Sequence, residues 1–408
     1  MDRVYSHSYC NISVLAAADS SQGLFFPRNP HSFRDTEAEV CIRGFKSTAD
    51  SADYIKCMVL DGCMWSDQVT RAPLNQRGWV LQERLLSPRV LHFGRQQLFW
   101  ECKEQAAAEC YPYGLPQLMS YFAQDFKHYL LPLVPTQQRP IWEDIVYVYS
   151  RTKLTNNTDK LIALSGLAKR MGAISQDDFV AGIWRQKLPA QLLWTVSSSQ
   201  NVDGRPSCRY KAYFAPTWSW ASVNGKISFR SIGIEKTLLF VAGEPHLEHC
   251  SANRTGAVRG GHLDLQGWLR SFYLTGRGLP RHVANWNTHE GHVGAHVNIE
   301  EIHCKSSKNW IYLDDPQRDY ENQSQTGAFW CMIGGVGPIS NRKGIYSHCI
   351  LLKVVDKEQG VYERIGMVFM RFDIEDADAI LERFKGIPME TPVSCRAYSE
   401  GMHTIRII

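Results

Sequence analysis

Pro88 sets the firmest local constraint in the chain, because proline has no N–H to donate and disfavours helical geometry in the residue before it. A helix running towards it must therefore stop at Ser87. Upstream, Asn75 follows Pro73 as a candidate cap, and Trp79, Gln82, Glu83 and Leu86 fall at i, i+3, i+4 and i+7. This spacing predicts a helix over 75–86 with Trp79 largely buried. Downstream, Val90–Phe93 and Leu98–Cys102 are apolar runs of strand length separated by Gly94 and Arg95. Tyr54–Leu60 is a further candidate strand, and a helix between strands implies a crossover and a mainly parallel sheet.

The run RGWVLQERLLSPRVLHFGRQQLFWEC resembles the closing part of the fungal heterokaryon-incompatibility (HET) domain, with its tryptophan, Leu-Gln-Glu, Arg-Val-Leu-like strand and Trp-Glu-Cys-like end. VYSHSYCNISVLAAADSSQGLF at 4–25 resembles the preceding segment of that family, and APTWSWAS at 215–222 recurs downstream in many such proteins. The resemblance implies a Toll/interleukin-receptor-like α/β fold. In plant members of that fold a Trp-Cys-Leu-x-Glu helix carries the glutamate that cleaves the nicotinamide glycosidic bond of NAD. Trp79-Val-Leu-Gln-Glu83 has the same spacing, so Glu83 is the candidate catalytic residue, with Trp79, Gln82 and Arg89 as the supporting motif. One carboxylate suffices for this chemistry: nicotinamide leaves as a neutral group, and a negative charge stabilises an oxocarbenium-like ribose. NAD would thus be a substrate of the full domain, with no cofactor. The bland reading is that Glu83 holds a loop or pairs with Arg77, Arg84 or Arg89. The family's first strand, with a Ser-Tyr-Trp-Gly-like end, and its second, with a Trp-Ile-Asp-like end, are not found ahead of residue 4. Truncation within the HET domain is therefore expected, and with it an inactive enzyme.

The 408 residues, 44% of them hydrophobic, allow two or three domains. Leu130–Pro140, with three prolines, reads as the linker. The expected organisation is α/β plus β: a partial HET domain at 1–130, a helical segment at 141–200, and a β-rich, sandwich or barrel-like domain at 210–408. Residues 27–53 read as a polar loop, and 280–325 as a long polar insertion. Within the helical segment, Trp142, Ile145, Val146 and Tyr149 share one face, Asp159 opens a second helix, and Asp177-Asp178 opens a third through Ile183 and Leu188.

A formal charge of +4 with alternating signs lacks the basic stripe of a nucleic-acid binder, and no apolar run spans a bilayer. The expectation is a cytoplasmic protein with protein partners, no nucleic-acid partner and no membrane span. The twelve cysteines include no CxxC pair, so reduced thiols are expected. His246, His249 and Cys250, and His289, His292, His296, His303 and Cys304, read as solvated loop residues rather than metal ligands. Gly334-Gly-Val-Gly337 reads as a hairpin turn, not a phosphate loop. Trp79, Trp100, Trp218 and Trp220 are expected in cores, the last two on one face of a strand. Two functions from different classes follow. One is a HET-type protein of fungal nonself recognition and programmed cell death, acting through Glu83 or by assembling with other chains through surfaces around Val90–Trp100. The other is a non-catalytic interaction protein with the β-rich domain as its binding module.

Overall fold

The helix ahead of Pro88 ends where the proline requires. Helix α2 is Gly78–Leu86, and Ser87 leaves it with extended backbone, its N–H and hydroxyl both donating to the Glu83 carbonyl, at 3.2 and 2.7 Å. Its start differs from expectation. Leu74–Gln76 is a separate 3-10 turn, and Asn75 donates its side-chain amide to the Val69 carbonyl instead of capping α2. In the computed structural model the described residues are 2–29, 36–41, 54–116, 119, 141–197, 201–229, 234–275, 296–298, 310–319, 329–338, 344–372, 378–380, 382 and 394–408. The chain divides into two units, Met1–Ile141 and Trp142–Ile408. The expected Leu130–Pro140 linker lies outside the described residues.

In the first unit, helix α1 (Asp2–Ser6) precedes strand β1 (Asn11–Ser13), and β2 (Thr36–Cys41) and β3 (Tyr54–Val59) form an antiparallel pair. Strand β2 falls where a loop was expected at 27–53. After α2 come β4 (Arg89–Phe93), β5 (Leu98–Cys102) and β6 (Ala106–Ala108). Their sheet has the order β1-β4-β5-β6. The crossover through α2 makes β1 and β4 parallel, but β4–β5 and β5–β6 are antiparallel, which corrects the expectation of a mainly parallel sheet. The short connections explain it: four residues between β4 and β5, 94 to 97, allow a hairpin and no crossover. Beneath the sheet, Leu15, Met64, Trp65, Val69 and Phe99 form the core.

The second unit opens with the helix Ile141–Tyr149, whose Trp142, Ile145, Val146 and Tyr149 are all buried as the periodicity predicts. The third expected helix is absent. In its place β7 (Phe179–Val180) and β8 (Ile183–Trp184) form a hairpin across Ala181 and Gly182, both with positive φ, 46° and 98°. Two consecutive left-handed residues match the right-handed twist of a tight hairpin. The Gly182 carbonyl then accepts two buried indoles, Trp142 Nε1 at 2.8 Å and Trp220 Nε1 at 2.7 Å.

The APTWSWAS stretch is not a strand. Trp220–Ser222 is a 3-10 turn capped by the Ser219 hydroxyl, which accepts from the Ala221 N–H and donates to the Ala181 carbonyl. Trp218 and Trp220 are fully buried, as expected of core residues, though not on a strand. Trp220 reaches the β7–β8 turn, while the Trp218 carbonyl accepts from Trp194 Nε1 at 2.9 Å.

Around this knot lie β9 (Trp194–Val196) paired with β12 (Ile227–Phe229), and β10 (Cys208–Arg209) paired with β11 (Val223–Asn224). The remaining strands, β13 (Lys236–Thr237), β14 (Phe240–His249), β15 (Val258–Gly267), β16 (Leu269–Thr275), β17 (His296–Asn298), β18 (Trp310–Leu313), β19 (Phe329–Pro338), β20 (Ile345–Asp356), β21 (Val361–Phe372), β22 (Ala397–Ser399) and β23 (Met402–Ile407), form an 11-stranded sheet. Its main path, β14-β15-β23-β21-β20-β19-β16-β17, has two ends, so the barrel alternative is corrected. Central strands β19, β20 and β21 are buried almost continuously, which is the pattern of strands covered on both faces. Gly334 and Gly335 lie inside β19, not in a turn. A Cβ on Gly334 would stand 2.4 Å from the Leu193 side chain, and one on Gly335 2.9 Å from Ile234, so the glycines permit close packing onto the strand.

Arg364 of β21 fastens this sheet to the helical segment. Its guanidinium, 1% exposed, stacks 3.6 Å from the Trp194 ring, donates to the Leu192 and Trp194 carbonyls and pairs with the buried Asp314 at 3.0 Å. Arg209 pairs with the same Asp314 carboxylate at 2.8 Å.

Two stability tests follow. Gly182→Ala adds a Cβ 2.8 Å from Trp220 Nε1 on left-handed backbone, and should destabilise the second unit by about 2 to 4 kcal/mol, read from its urea midpoint. Lys160 is buried with its ammonium on the Val223 carbonyl and near the Tyr210 and Trp220 rings, and burial pulls its pKa from 10.5 down to about 7, with Cys208 opposing. A depressed folded pKa means stability that is present above 10.5 and lost as pH falls towards 7. Relative to Lys160→Met, the native chain should thus gain about 2 kcal/mol between pH 7 and 9. Parallel stability curves for the two proteins over that range would refute the burial of a titrating amine.

Candidate functional site

The site is built on α2. Its expected inward stripe of Trp79, Gln82, Glu83 and Leu86 is corrected: Gln82 and Leu86 are buried, but Trp79 and Glu83 are only half-buried. The buried face is instead Val80, Leu81, Arg84 and Leu85. The rotation has a specific cause. Arg84, about 100° round the helix from Glu83, turns towards the sheet to meet Glu101 of β5, with Nε to Oε2 at 2.7 Å and a second guanidinium nitrogen to Oε1 at 3.0 Å. His92 of β4 joins the same carboxylate through Nε2 at 3.1 Å, its ring edge-on to Trp65. His92 and Glu101 are 0% and 1% exposed. An ion pair this far from water is stable only when its hydrogen-bonding positions are filled, and the two-pronged arginine contact plus the histidine does this for Glu101.

Glu83 points to the other side of the helix, towards α1. Tyr5 of α1 lies beside it, and the Tyr5 hydroxyl is pushed up to about 12, by burial first and then by the neighbouring Glu83 carboxylate. Arg84 is therefore the partner of Glu101, not of Glu83. Arg89 is exposed at the end of β4, lies 4.9 Å from the Tyr9 ring and donates to the Tyr9 carbonyl at 3.3 Å. The structure thus brings Trp79 and Glu83 to one half-exposed face, places Gln82 in the interior and sends Arg89 to the Tyr9 segment.

The opposite face of the sheet has its own character. Registers pair Ile12 with Leu91, Leu91 with Trp100 and Phe93 with Leu98, so these five side chains share the face away from Val90, His92, Phe99 and Glu101. Ile12 is 62% exposed, and Leu91, Phe93, Leu98 and Trp100 are half-buried. Trp100, like Trp79, is therefore not the core residue expected.

Residues 1–83 match the family model for heterokaryon incompatibility protein (HET). That match gives the stretch from α1 to Glu83 the heterokaryon-incompatibility type and leaves β4 and β5 beyond it. No curated protein and no solved structure matches the chain.

Within the N-terminal unit, sequence reasoning missed Tyr5, His92 and Glu101. A signal existed for Glu101: it alternates with Phe99 on β5, and a carboxylate at an inward position demands a buried cation. Tyr5 gave none, because its contact with α2 spans 78 residues of chain. Among the described residues no cluster of three or more His, Cys, Asp or Glu could hold a metal ion. His246 and His249 lie on β14 rather than in a loop, whereas His289, His292, His303 and Cys304 lie outside the described residues. No helix among the described residues is long and apolar enough to cross a membrane.

Removing one partner of a buried pair strands the other charge, so Arg84→Met should cost the first unit about 3 to 5 kcal/mol. The double variant Arg84→Met/Glu101→Leu should recover most of that loss. Amide hydrogen exchange of β4 and β5 measures both, and equal protection in all three proteins would show that the pair does not hold α2.

Proposed function

We propose that this chain is a HET-type protein of fungal nonself recognition that acts in programmed cell death through protein contacts, without cleaving NAD in its resting form. The observation that carries this reading is the setting of Glu83: a carboxylate that must stabilise a ribosyl cation has to face the substrate, and this one lies half-buried on α2 beside Tyr5 of α1. The apolar sheet face of Ile12, Leu91 and Trp100 supports the other half of the reading, since contact surfaces are where such side chains remain uncovered. A Toll/interleukin-receptor-like ancestry agrees with the β1-α2-β4 crossover, and the β-rich second unit serves as a binding module in the alternative form of the proposal.

A second reading has one observation in its favour. Trp79 and Glu83 share a half-exposed face at the spacing of the NAD-cleaving helix, so NAD hydrolysis through Glu83 would need only that face to be opened. The discriminating variant is Glu83→Gln, which keeps the shape of the side chain while removing the charge. Nicotinamide release by the native chain should equal that of the variant, and both should arrest growth alike when expressed in a filamentous fungus. A positioned carboxylate contributes several kcal/mol, so catalysis would appear as a loss of about a hundredfold or more in the variant and would overturn the proposal.

A further inference from the structure

Strand β14 closes one end of the main path of the 11-stranded sheet, and its pairing with β15 is interrupted. A register shift separates the pair Ala242–Asp264 from the pair His246–His262, and Gly243 within it has a φ of 79°. The ladder resumes at the two histidines, which stand directly opposite each other. Their rings are stacked, with centroids 4.9 Å apart and planes 30° apart. Alternation along β15 puts His262 on the face away from the buried Leu263 and Leu265, and the register puts His246 beside it. His246 is exposed and His262 half-buried. The sequence motif His246-x-x-His249 is not what assembles here, because His249 lies beyond a second register shift, opposite Val258.

Two imidazoles at opposed strand positions have the makings of a chelate. An ordinary imidazole is mostly uncharged at neutral pH and keeps a nitrogen lone pair for a metal. A zinc–nitrogen bond is about 2.0 to 2.1 Å, so one ion joins the two rings once their edges close by about 1 to 2 Å, which side-chain rotation at a surface allows. The carboxylates on the same face are engaged elsewhere: Asp264 takes the Arg406 guanidinium at 2.8 and 3.1 Å, and Glu248 faces Arg259 at 3.4 Å. The donor set is therefore two nitrogens with water at the remaining positions, which suits a late first-row divalent ion and not the oxygen-seeking magnesium or calcium. We propose that His246 and His262 form a binding site for such an ion, zinc being the probe of choice, and that the bound ion clasps β14 to β15 at the register shift. The clasp acts where backbone pairing restarts, so that slipping of β14 against β15 would break metal bonds as well as hydrogen bonds. The site lies within the second unit and is independent of Glu83.

The test uses the full chain, zinc chloride as the probe and magnesium chloride as the hard-cation control. Modification of histidines by diethyl pyrocarbonate, read by mass spectrometry, reports each accessible imidazole, with the exposed His7 as reference. Zinc should slow modification of His246 and His262 together, at one midpoint and by about tenfold or more relative to His7, and magnesium should not. In His246→Gln the zinc midpoint for protecting His262 should rise about tenfold or more, because the second arm of a chelate binds at high effective concentration. His262→Gln should do the same to His246. Zinc should also slow amide exchange of residues 245 to 249 in the native chain and leave it unchanged in either variant. Both substitutions lie on the outer face, so the variants should melt close to the native chain without zinc. Protection of His262 at the native midpoint in His246→Gln would mean single histidines binding independently and would overturn the site. So would the absence of protection of the native chain in millimolar zinc.

Discussion

The two-pronged contact of Arg84 with Glu101 is the interaction on which the arrangement of the N-terminal unit depends. Helix α2 is nine residues long, too short to hold its shape or its rotation by backbone hydrogen bonding alone. Its buried leucines would accept a range of rotations, since apolar contact is not directional. The guanidinium is directional. By meeting both carboxylate oxygens it fixes which face of α2 meets the sheet, and therefore which face carries Trp79 and Glu83 outward. His92 fills a further position on the carboxylate, and the fit of both partners makes burial tolerable.

The second unit repeats this solution on a larger scale. Asp314 lies between Arg364 and Arg209, and Arg364 also donates to two main-chain carbonyls and stacks on Trp194. An arginine held by charge, by carbonyls and by a ring together joins segments 170 residues apart in sequence, Trp194 and Arg364. The Gly182 carbonyl does the same for aromatic groups, taking the indoles of Trp142 and Trp220 at one point. Directional groups set the alignment, and the apolar core around Ile333, Leu351 and Val368 supplies the bulk of the stabilisation.

Local features were legible in the sequence where one residue dominates the backbone. Pro88 located the end of α2, and the apolar runs Val90–Phe93 and Leu98–Cys102 located strands. Failures came where a distant contact decided. Asp177 to Leu188 has helical periodicity, yet Ala181 and Gly182 turn it into a hairpin because their carbonyls receive Ser219 and two tryptophans from elsewhere in the chain. APTWSWAS alternates like a strand, but its serines hydrogen-bond to their own backbone and to the hairpin, which competes successfully with strand geometry. The site followed the same division. The Trp79–Glu83 spacing could be read from one helix, while the orientation of that helix was set by Glu101, seventeen residues on from Arg84.

Two glutamates on neighbouring elements thus carry opposite burdens. Glu101 is 1% exposed and answers a full positive charge, so exchanging its partner for water would leave a charge in the interior. Glu83 is half-buried beside Tyr5 of a helix that buries nothing, so water can reach its carboxylate with little loss. A carboxylate within reach of water, fixed to a helix whose rotation is set by a buried ion pair, has its location decided by one side of α2 and its exposure by the other.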